Sequence, residues 1–417
     1  MYDELEEEEE DLLLAAALVV LGAEDTRQQH RMETRRRTRQ YLTRPELLPN
    51  PRVNTPWQQL YESRSDRAFI TTMGVDVATF EYLLEAGFAD EWNFATIPRN
   101  DTNPAGNPRP GARSLDAAGG LGLYLHWISS TMPETSLQLI FALIPSTVSR
   151  YVTFAQRIIL HVLHEIPEGT IQWPSDEQEF SDLAALVQAR HHLLTGAFGS
   201  IDGVNLPVHV SDDPQIENAT YNGWLHAHFI SCVIVFGSDG LIKQAVLNAP
   251  GSWHDSRVAR PIYAKLRDHT PDGFYLVADT AFPRGTDQIN GRIRAALKQG
   301  APLPDDMQER ANVLYFDRQL LSYRQTAEWG MRTLQGSFGR LRLPLNAEDK
   351  HGRSELLEVC MRLSNVRTLR VGINQIRNVY MPIWQNEADG KMWSRLGDML
   401  FSEIRQHDRV ARFHAVV

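Results

Sequence analysis

Up to about residue 192 the apolar residues recur at spacings of three and four; after that they alternate with polar ones or gather in short runs. The first pattern predicts helices and the second strands. From Trp57 to Phe94 the apolar positions Phe69, Phe80, Leu83, Leu84 and Phe88 mark helical segments. Residues 99–114, with three prolines and two glycines, form a linker that no regular element survives. Helices are then expected over Leu115–Ser130 and Thr131–Leu143, and from about Thr147 to Glu165, where Val148, Val152, Ala155, Ile159 and Val162 form one apolar stripe. Ile144-Pro145 breaks the chain between the last two, and Ser146 is the expected N-cap. Helix, short break and helix over 114–163 resembles a helix-turn-helix, which would set Ser146, Thr147 and Arg150 at an exposed turn suited to DNA contact. An ordinary helical hairpin gives the same pattern.

A polar linker, Pro167–Gln178, and a short helix to His192 precede the change of period. Ala197–Val210, Trp224–Phe236 and Leu241–Leu247 read as three strands in a meander, the last two joined by the turn Gly237-Ser-Asp-Gly240. A helix near Ser256–Arg267 and a buried strand, Gly273–Ala278, follow. The strongest helical stripe runs from Asp317 to Phe338 through Leu320, Tyr323, Ala327, Met331 and Leu334, with Arg324, Glu328, Arg332 and Gln335 beside it. Near the end, Trp393, Leu396, Met399, Leu400, Phe401 and Ile404 suggest an amphipathic helix within 385–417. The expected organisation is therefore a disordered tail over 1–50, a helical region over 51–195, an α/β region over 196–370 and a helical segment over 371–417.

Charge sharpens the picture of the tail. The formal net charge is −10, but residues 1–11 alone hold eight carboxylates; without them 44 acids face 42 bases. A nucleic-acid partner must therefore be met by local patches. Arg27 to Arg44 is one such block, with seven arginines against the single acid Glu33. It suits nuclear import or phosphate contact, or is simply a solvated charged segment. A second basic stretch, 318–377, carries eleven Lys/Arg against five acids. The two cysteines, Cys232 and Cys360, exclude a disulfide framework or a Cys-rich zinc module and suit a reducing compartment. The apolar run Leu12–Leu21 is too short to span a bilayer, and its acidic flank is wrong for a signal peptide. No membrane partner is expected.

The candidate chemistry rests on three acids. Asp202 lies within a strand-like run, Asp279 ends another, and Glu328 projects from the long helix between Arg324 and Arg332. Carboxylates at buried strand positions are costly unless paired, and a divalent cation pairs them. Two strand aspartates and a helix glutamate are a donor set for two-metal phosphoryl transfer. As three isolated acids among 52 they say little.

The surrounding words say more. Gly199-Ser-Ile-Asp-Gly203, Tyr221-Asn-Gly-Trp, Ala249-Pro-Gly-Ser-Trp-His-Asp255, Val277-Ala-Asp-Thr-Ala-Phe282, Arg324-Gln-Thr-Ala-Glu-Trp-Gly330 and Ser337-Phe-Gly-Arg-Leu341 occur in this order, with 48 residues between Asp279 and Glu328. Over 197–345 this resembles the PIF/Harbinger-like DDE transposases, and the resemblance extends more weakly to the helix-turn-helix-like stretch. It implies an RNase H-like α/β fold, a mixed five-stranded sheet flanked by helices, preceded by an all-α region. It also implies a divalent-metal (Mg²⁺ or Mn²⁺) endonuclease with Asp202, Asp279 and Glu328 as the ligands. DNA is then the substrate, with a Myb-like DNA-binding partner protein, oligomers on DNA and a nuclear location. Arg324, Arg332 and Arg340 become expected DNA-backbone contacts. The second acid departs from the usual Gly-Asp-Ser-Gly-Tyr, reading Ala-Asp-Thr-Ala-Phe here. The alternative reading is a domesticated, non-catalytic DNA-binding or interaction protein on the same fold; a third is a nuclease without end joining.

Other candidates are weaker. His226 and His228 would share a strand face as two zinc ligands, short of the three or four that zinc takes. Ser252, His254 and Asp255 are too close in sequence for a hydrolase triad; a turn in which Ser252 or Asp255 caps the following helix accounts for them, with Asp255 at most a supporting site residue. Gly-rich phosphate loops are absent, which argues against an NTPase.

Overall fold

The computed structural model describes residues 24, 26–35, 37–39, 41–98, 106–282, 289, 291–298 and 300–381. The expected amphipathic segment 385–417 and the acidic block 1–11 lie outside these residues.

A mixed sheet carries the second half of the chain. Its strands are β1 (Ala197–Pro207), β2 (Tyr221–Asn222), β3 (Ala227–Gly237), β4 (Ile242–Pro250), β5 (Tyr275–Ala278) and β6 (Ile293–Ala295). The order is β4-β3-β1-β5-β6, with the two-residue β2 on a separate part of β3. β1, β3 and β4 form the antiparallel meander, whereas β5 lies parallel to β1, and β6 parallel to β5. This arrangement is compatible with an RNase H-like fold.

Strand periodicity sorts the apolar residues onto two faces. Ile230, Cys232, Ile234 and Phe236 of β3, with Tyr275 and Val277 of β5, belong to one core. Val233 and Val235, with Leu276 and Ala278, belong to the other. Because both faces are covered, these strands read as unbroken apolar runs.

From Pro56 on, the described residues before the sheet form the α-helices α1 (Pro56–Glu62), α2 (Asp66–Met73), α3 (Val77–Leu83), α4 (Ala89–Phe94), α5 (Ala117–Ser129), α6 (Glu134–Phe141), α7 (Pro145–Glu165) and α8 (Glu177–Gln188). Six follow β1: α9 (Pro214–Thr220), α10 (Asp255–Val258), α11 (Arg260–Asp268), α12 (Met307–Ser337), α13 (Lys350–Val366) and α14 (Gln375–Tyr380). Residues of α8, α10 and α11 cover one face of the sheet. The other face shares one continuous core with α12, α13 and the helices from α1 to α7. The seam between α7 and α13 is also polar: Gln156 donates to the Gly352 carbonyl at 3.0 Å, and Asn365 donates to the carbonyls of Thr170 and Ile242 at 2.9 and 3.1 Å.

Four expectations change. Ser146 does not cap α7; Pro145 is the first helical residue and Ile144 the N-cap, with no side-chain cap bond. Proline lacks the amide hydrogen that a first-turn position leaves unpaired, so it fits there better than serine. α12 begins ten residues before the apolar stripe does, capped by Asp306. Its first turns are largely exposed, so they carry no stripe to read. The tail is not uniformly irregular: residues 26–35 are helical with exposed side chains, in keeping with the helix propensity of arginine. Beyond it the chain docks, since Leu42 N–H donates to Gln138 Oε1 at 3.1 Å and Arg44 Nη1 to the Ala142 carbonyl at 2.8 Å. His226, finally, sits in the turn before β3 at φ +51°, not on a strand face with His228.

α6 and α7 cross at 91° around the short break that holds Ala142 in the left-handed region. Among the described residues no single helix is long and apolar enough to cross a membrane; this bent pair alone passes by length and composition, and its apolar side chains are largely buried in the core.

Candidate active site

The register of two strands builds the centre of the site. Ile201 of β1 is the parallel partner of Ala278 of β5. The next residues, Asp202 and Asp279, therefore emerge side by side. β5 ends at Ala278, so Asp279 opens a turn, and its carboxylate accepts from the Thr280 amide. The Gly203 amide donates to Asp202 Oδ1 at 2.8 Å.

A third carboxylate comes from the loop after β4. Asp255 is the first residue of α10, whose N-cap is His254; Ser256 N–H donates to His254 Nδ1 at 3.3 Å. The capping role expected of Ser252 or Asp255 thus falls to His254, which leaves the Asp255 carboxylate free to lie over Gly203. A Cβ on residue 203 would stand 2.5 Å from Asp255 Cγ. Only glycine lets the loop approach β1 this closely.

The helix α12 brings Glu328. Two contacts fix its position. The hydroxyls of Ser200 on β1 and Thr326 on α12 are 2.7 Å apart in the buried interface. Gly330 allows the helix to close on β3, since a Cβ there would meet the Phe236 ring at 2.6 Å. Alternation on β1 points Asp202 to the same side as Ser200, towards α12. There Arg324 Nη2 donates to Glu328 Oε1 at 2.8 Å, one helical turn apart.

The electrostatics couple Asp202, Asp279, Asp255 and Arg324, and Glu328 joins them only through its bond to Arg324. Burial is the main cause that pushes the Asp202 carboxyl up to about 6; the Gly203 amide and Arg324 oppose the rise, and the charges of Asp279 and Asp255 add to it. Asp255 is raised too, by burial first; His254 opposes this and the Asp279 charge reinforces it. Crowded carboxylates with too little positive charge are the setting that a hard cation relieves. The donor set, all carboxylate oxygen, fits Mg²⁺ or Mn²⁺ in chemistry. Among the described residues, however, no three His, Cys, Asp or Glu side chains converge into a ready cation cage. Glu328 is engaged by Arg324.

Residues 201–365 match a family model described as DDE superfamily endonuclease. The match supports a DDE transposase-like, nuclease-type domain over this stretch, with DNA as its implied substrate. It takes in all four acids of the cluster. No curated protein and no solved structure matches the chain.

Around the cluster the structure uses its arginines in ways that their sequence positions did not separate. Arg324 faces the carboxylates, not only the solvent. Arg332 is exposed on α12. Arg340, expected on the DNA track, is half-buried: its guanidinium lies 4.7 Å from the Trp127 ring centroid, it reaches the Met132 carbonyl, and burial lowers its pKa. Arg353 and Arg367 are buried joints; the first donates to Asn248 Oδ1 at 2.6 Å and the second to the Gly74 carbonyl at 2.5 Å. Much of the positive charge counted over 318–377 is thus committed within the molecule. The second zinc candidate, His228, has Thr220 Oγ1 3.0 Å from its Nδ1. Ser146 is exposed at the start of α7, and Thr147 and Arg150 are half-buried beside it. They belong to the helical half and take no part in the carboxylate cluster.

Two members of the cluster were underestimated from sequence. Asp255 was at most a supporting residue; the intact Pro-Gly-Ser-Trp-His-Asp word was its signal. Arg324 was expected only on DNA, although its spacing to Glu328 allowed the i,i+4 pair that forms.

Proposed function

We propose that this chain is a divalent-metal-dependent DNA endonuclease of the Harbinger transposase type, with Asp202, Asp279 and Glu328 as metal ligands. The observation that carries the proposal is the parallel register that sets Asp202 beside Asp279, together with the raised pKa that their crowding with Asp255 helps to produce. The family match over 201–365 agrees with it.

Bound Mg²⁺ or Mn²⁺ supplies charge stabilisation at the phosphodiester and at its leaving oxygen. The chain's own part is to hold the cation and to place the DNA. Asp202, midway along β1, and Asp279, just past the end of β5, would hold it. Asp255 adds negative charge over Gly203 of β1. Glu328 would complete the ligand set if Arg324 turned from it to a DNA phosphate, which would link DNA arrival and ligand completion through one guanidinium. Arg332 contacts the backbone further along α12. On the same reading the α6–α7 hairpin is a helix-turn-helix presenting Ser146, Thr147 and Arg150 to DNA. The arginines of the tail direct the protein to the nucleus, and a Myb-like partner supplies terminal-repeat recognition to an oligomer assembled on the element.

The test is nicking of a supercoiled plasmid bearing the flanking repeats, in Mg²⁺ and in Mn²⁺, with wild type, Asp202→Asn and Glu328→Gln. Nicking by wild type that both substitutions abolish supports the assignment. Equal nicking by all three overturns it. A second reading, a domesticated DNA-binding protein without cleavage, is favoured by one observation, the Arg324–Glu328 pair that occupies the third ligand. It predicts DNA binding that is indifferent to metal and no nicking even with the partner protein added.

A further inference from the structure

The turn between β2 and β3 carries an apolar surface that the molecule does not bury. Trp224 is 90% exposed, beside Leu225 at 47% and Tyr221 at 43%. A solvent-facing indole at the tip of an ordered turn is an unusual use of the side chain most readily buried at interfaces. The turn is held in place. Asn222 Oδ1 accepts from the amides of Trp224 and Leu225 at 3.1 and 3.0 Å.

The same asparagine ties the turn to the acidic cluster. Asn222 Nδ2 donates to the Gly251 carbonyl at 2.9 Å, and the Ser252 amide donates to the Ala219 carbonyl at 3.1 Å. Gly251 opens the loop that ends at Asp255, over Gly203. Four residues span at most about 14 Å, so the foot of the Trp224 turn lies within a few nucleotide steps of Asp202 and Asp279, at roughly 3.4 Å per step. A cation stands at the far end of that loop, two residues past Asp255. The Arg257 guanidinium lies 4.0 Å from the Trp253 ring centroid, and among the described residues it forms no ion pair. An exposed indole, a cation braced on a second indole and a nearby phosphodiester site match the mixture by which proteins hold unpaired strands: aromatic faces for bases and arginine for the backbone.

We infer that Trp224 stacks on an unpaired base a few nucleotides from the scissile phosphate, while Arg257, braced by Trp253, contacts a phosphate of the same strand. The inference rests on the endonuclease reading, and it adds an expectation: the DNA is opened locally on this side of the cleavage site. The occupant is a nucleobase and not a second protein copy, because the turn is continuous with the carboxylate loop and the adjacent free charge is positive.

The probe is a forked duplex of mixed sequence with 2-aminopurine in its unpaired arm, compared with the blunt duplex, using the full chain with Ca²⁺ in place of Mg²⁺. Wild type is expected to bind the fork more tightly and to change the 2-aminopurine emission. Trp224→Ala should lose roughly five- to a hundred-fold in fork affinity, with blunt-duplex affinity unchanged, and Trp224→Phe should keep most of it. Equal fork affinity for wild type and Trp224→Ala, or a change in oligomeric state without a change in DNA affinity, overturns the inference. Mn²⁺-dependent cleavage is measured on the same DNAs. Trp224-dependent fork binding without cleavage counts against the endonuclease reading alone; cleavage without Trp224-dependent binding counts against the stacking alone.

Discussion

The Asp255 carboxylate lies across the α-carbon of Gly203, with its Cγ 2.5 Å from where a Cβ would stand. A methyl group at residue 203 therefore has to displace that carboxylate from over β1. Gly203→Ala is expected to lower metal-dependent nicking at least tenfold while changing stability by no more than about 1 kcal/mol, since the obstructing atoms end a side chain. Nicking rate and urea midpoint, measured together, check this. A large loss of stability with unchanged nicking would show that the approach serves folding alone.

The raised pKa of Asp202 has a sign that can be tested. A carboxylate whose folded pKa lies above its unfolded one destabilises the fold when ionised. The penalty is fully present above about pH 6 and vanishes below the unfolded value, near 3.8. Asp202→Asn should therefore stabilise the metal-free protein at about pH 7.5, by on the order of 1–3 kcal/mol. The two proteins should converge as pH falls through 6 towards 4. Denaturation midpoints across this range, in chelator, give the answer.

The same crowding predicts a response to cations. Near pH 7.5, millimolar Mn²⁺ should raise the Tm of wild type by a few degrees, roughly what binding at a hundred times Kd gives. Asp202→Asn with Asp279→Asn should abolish the shift. An equal shift in both proteins would place the cation elsewhere.

Arg324 lowers the Asp202 pKa and also pairs with Glu328. Removing the guanidinium takes away a charge that favours ionised Asp202. Arg324→Gln should accordingly move the acid limb of the nicking profile to higher pH, besides weakening DNA binding. An unmoved limb would mean that Arg324 acts on DNA only.

Arginines of the second basic stretch should divide by burial. Arg367 is buried, donates to the Gly74 carbonyl, and has its pKa lowered to about 10 by burial. Arg367→Ala leaves that carbonyl unpaired and should destabilise the fold by roughly 2–4 kcal/mol. Arg332→Ala should leave stability alone and reduce the salt dependence of DNA binding by about one phosphate contact. Thermal melts and binding isotherms at several salt concentrations separate the two.

What could be read in the sequence follows from where the information is local. The stripe from Leu320 to Phe338 placed Glu328 on a helix because one helical face must be apolar to pack. Strand alternation and short apolar runs located β1, β3, β4 and β5. The three-residue β6 carries too little pattern to show itself. Likewise, nothing in a one-dimensional charge count separates Arg340, laid on Trp127, from Arg332 in solvent; the difference is made by α5, some two hundred residues earlier. Asp255 was visible only as a motif, because its neighbour Gly203 comes from another strand. His226 was misplaced because its positive φ gives no warning in a residue other than glycine.

The continuous core between the helical half and one face of the sheet has a consequence for how this chain can be handled and inherited. Its sequence changes character near residue 195, which invites a cut there. Such a cut would strip α7 from α13 and expose a wall of Ile, Leu, Val and Phe to water. The sheet-bearing half would then behave as an aggregation-prone remnant rather than a portable domain. The helices ahead of it are the missing side of its own container, and the two halves must travel as one piece.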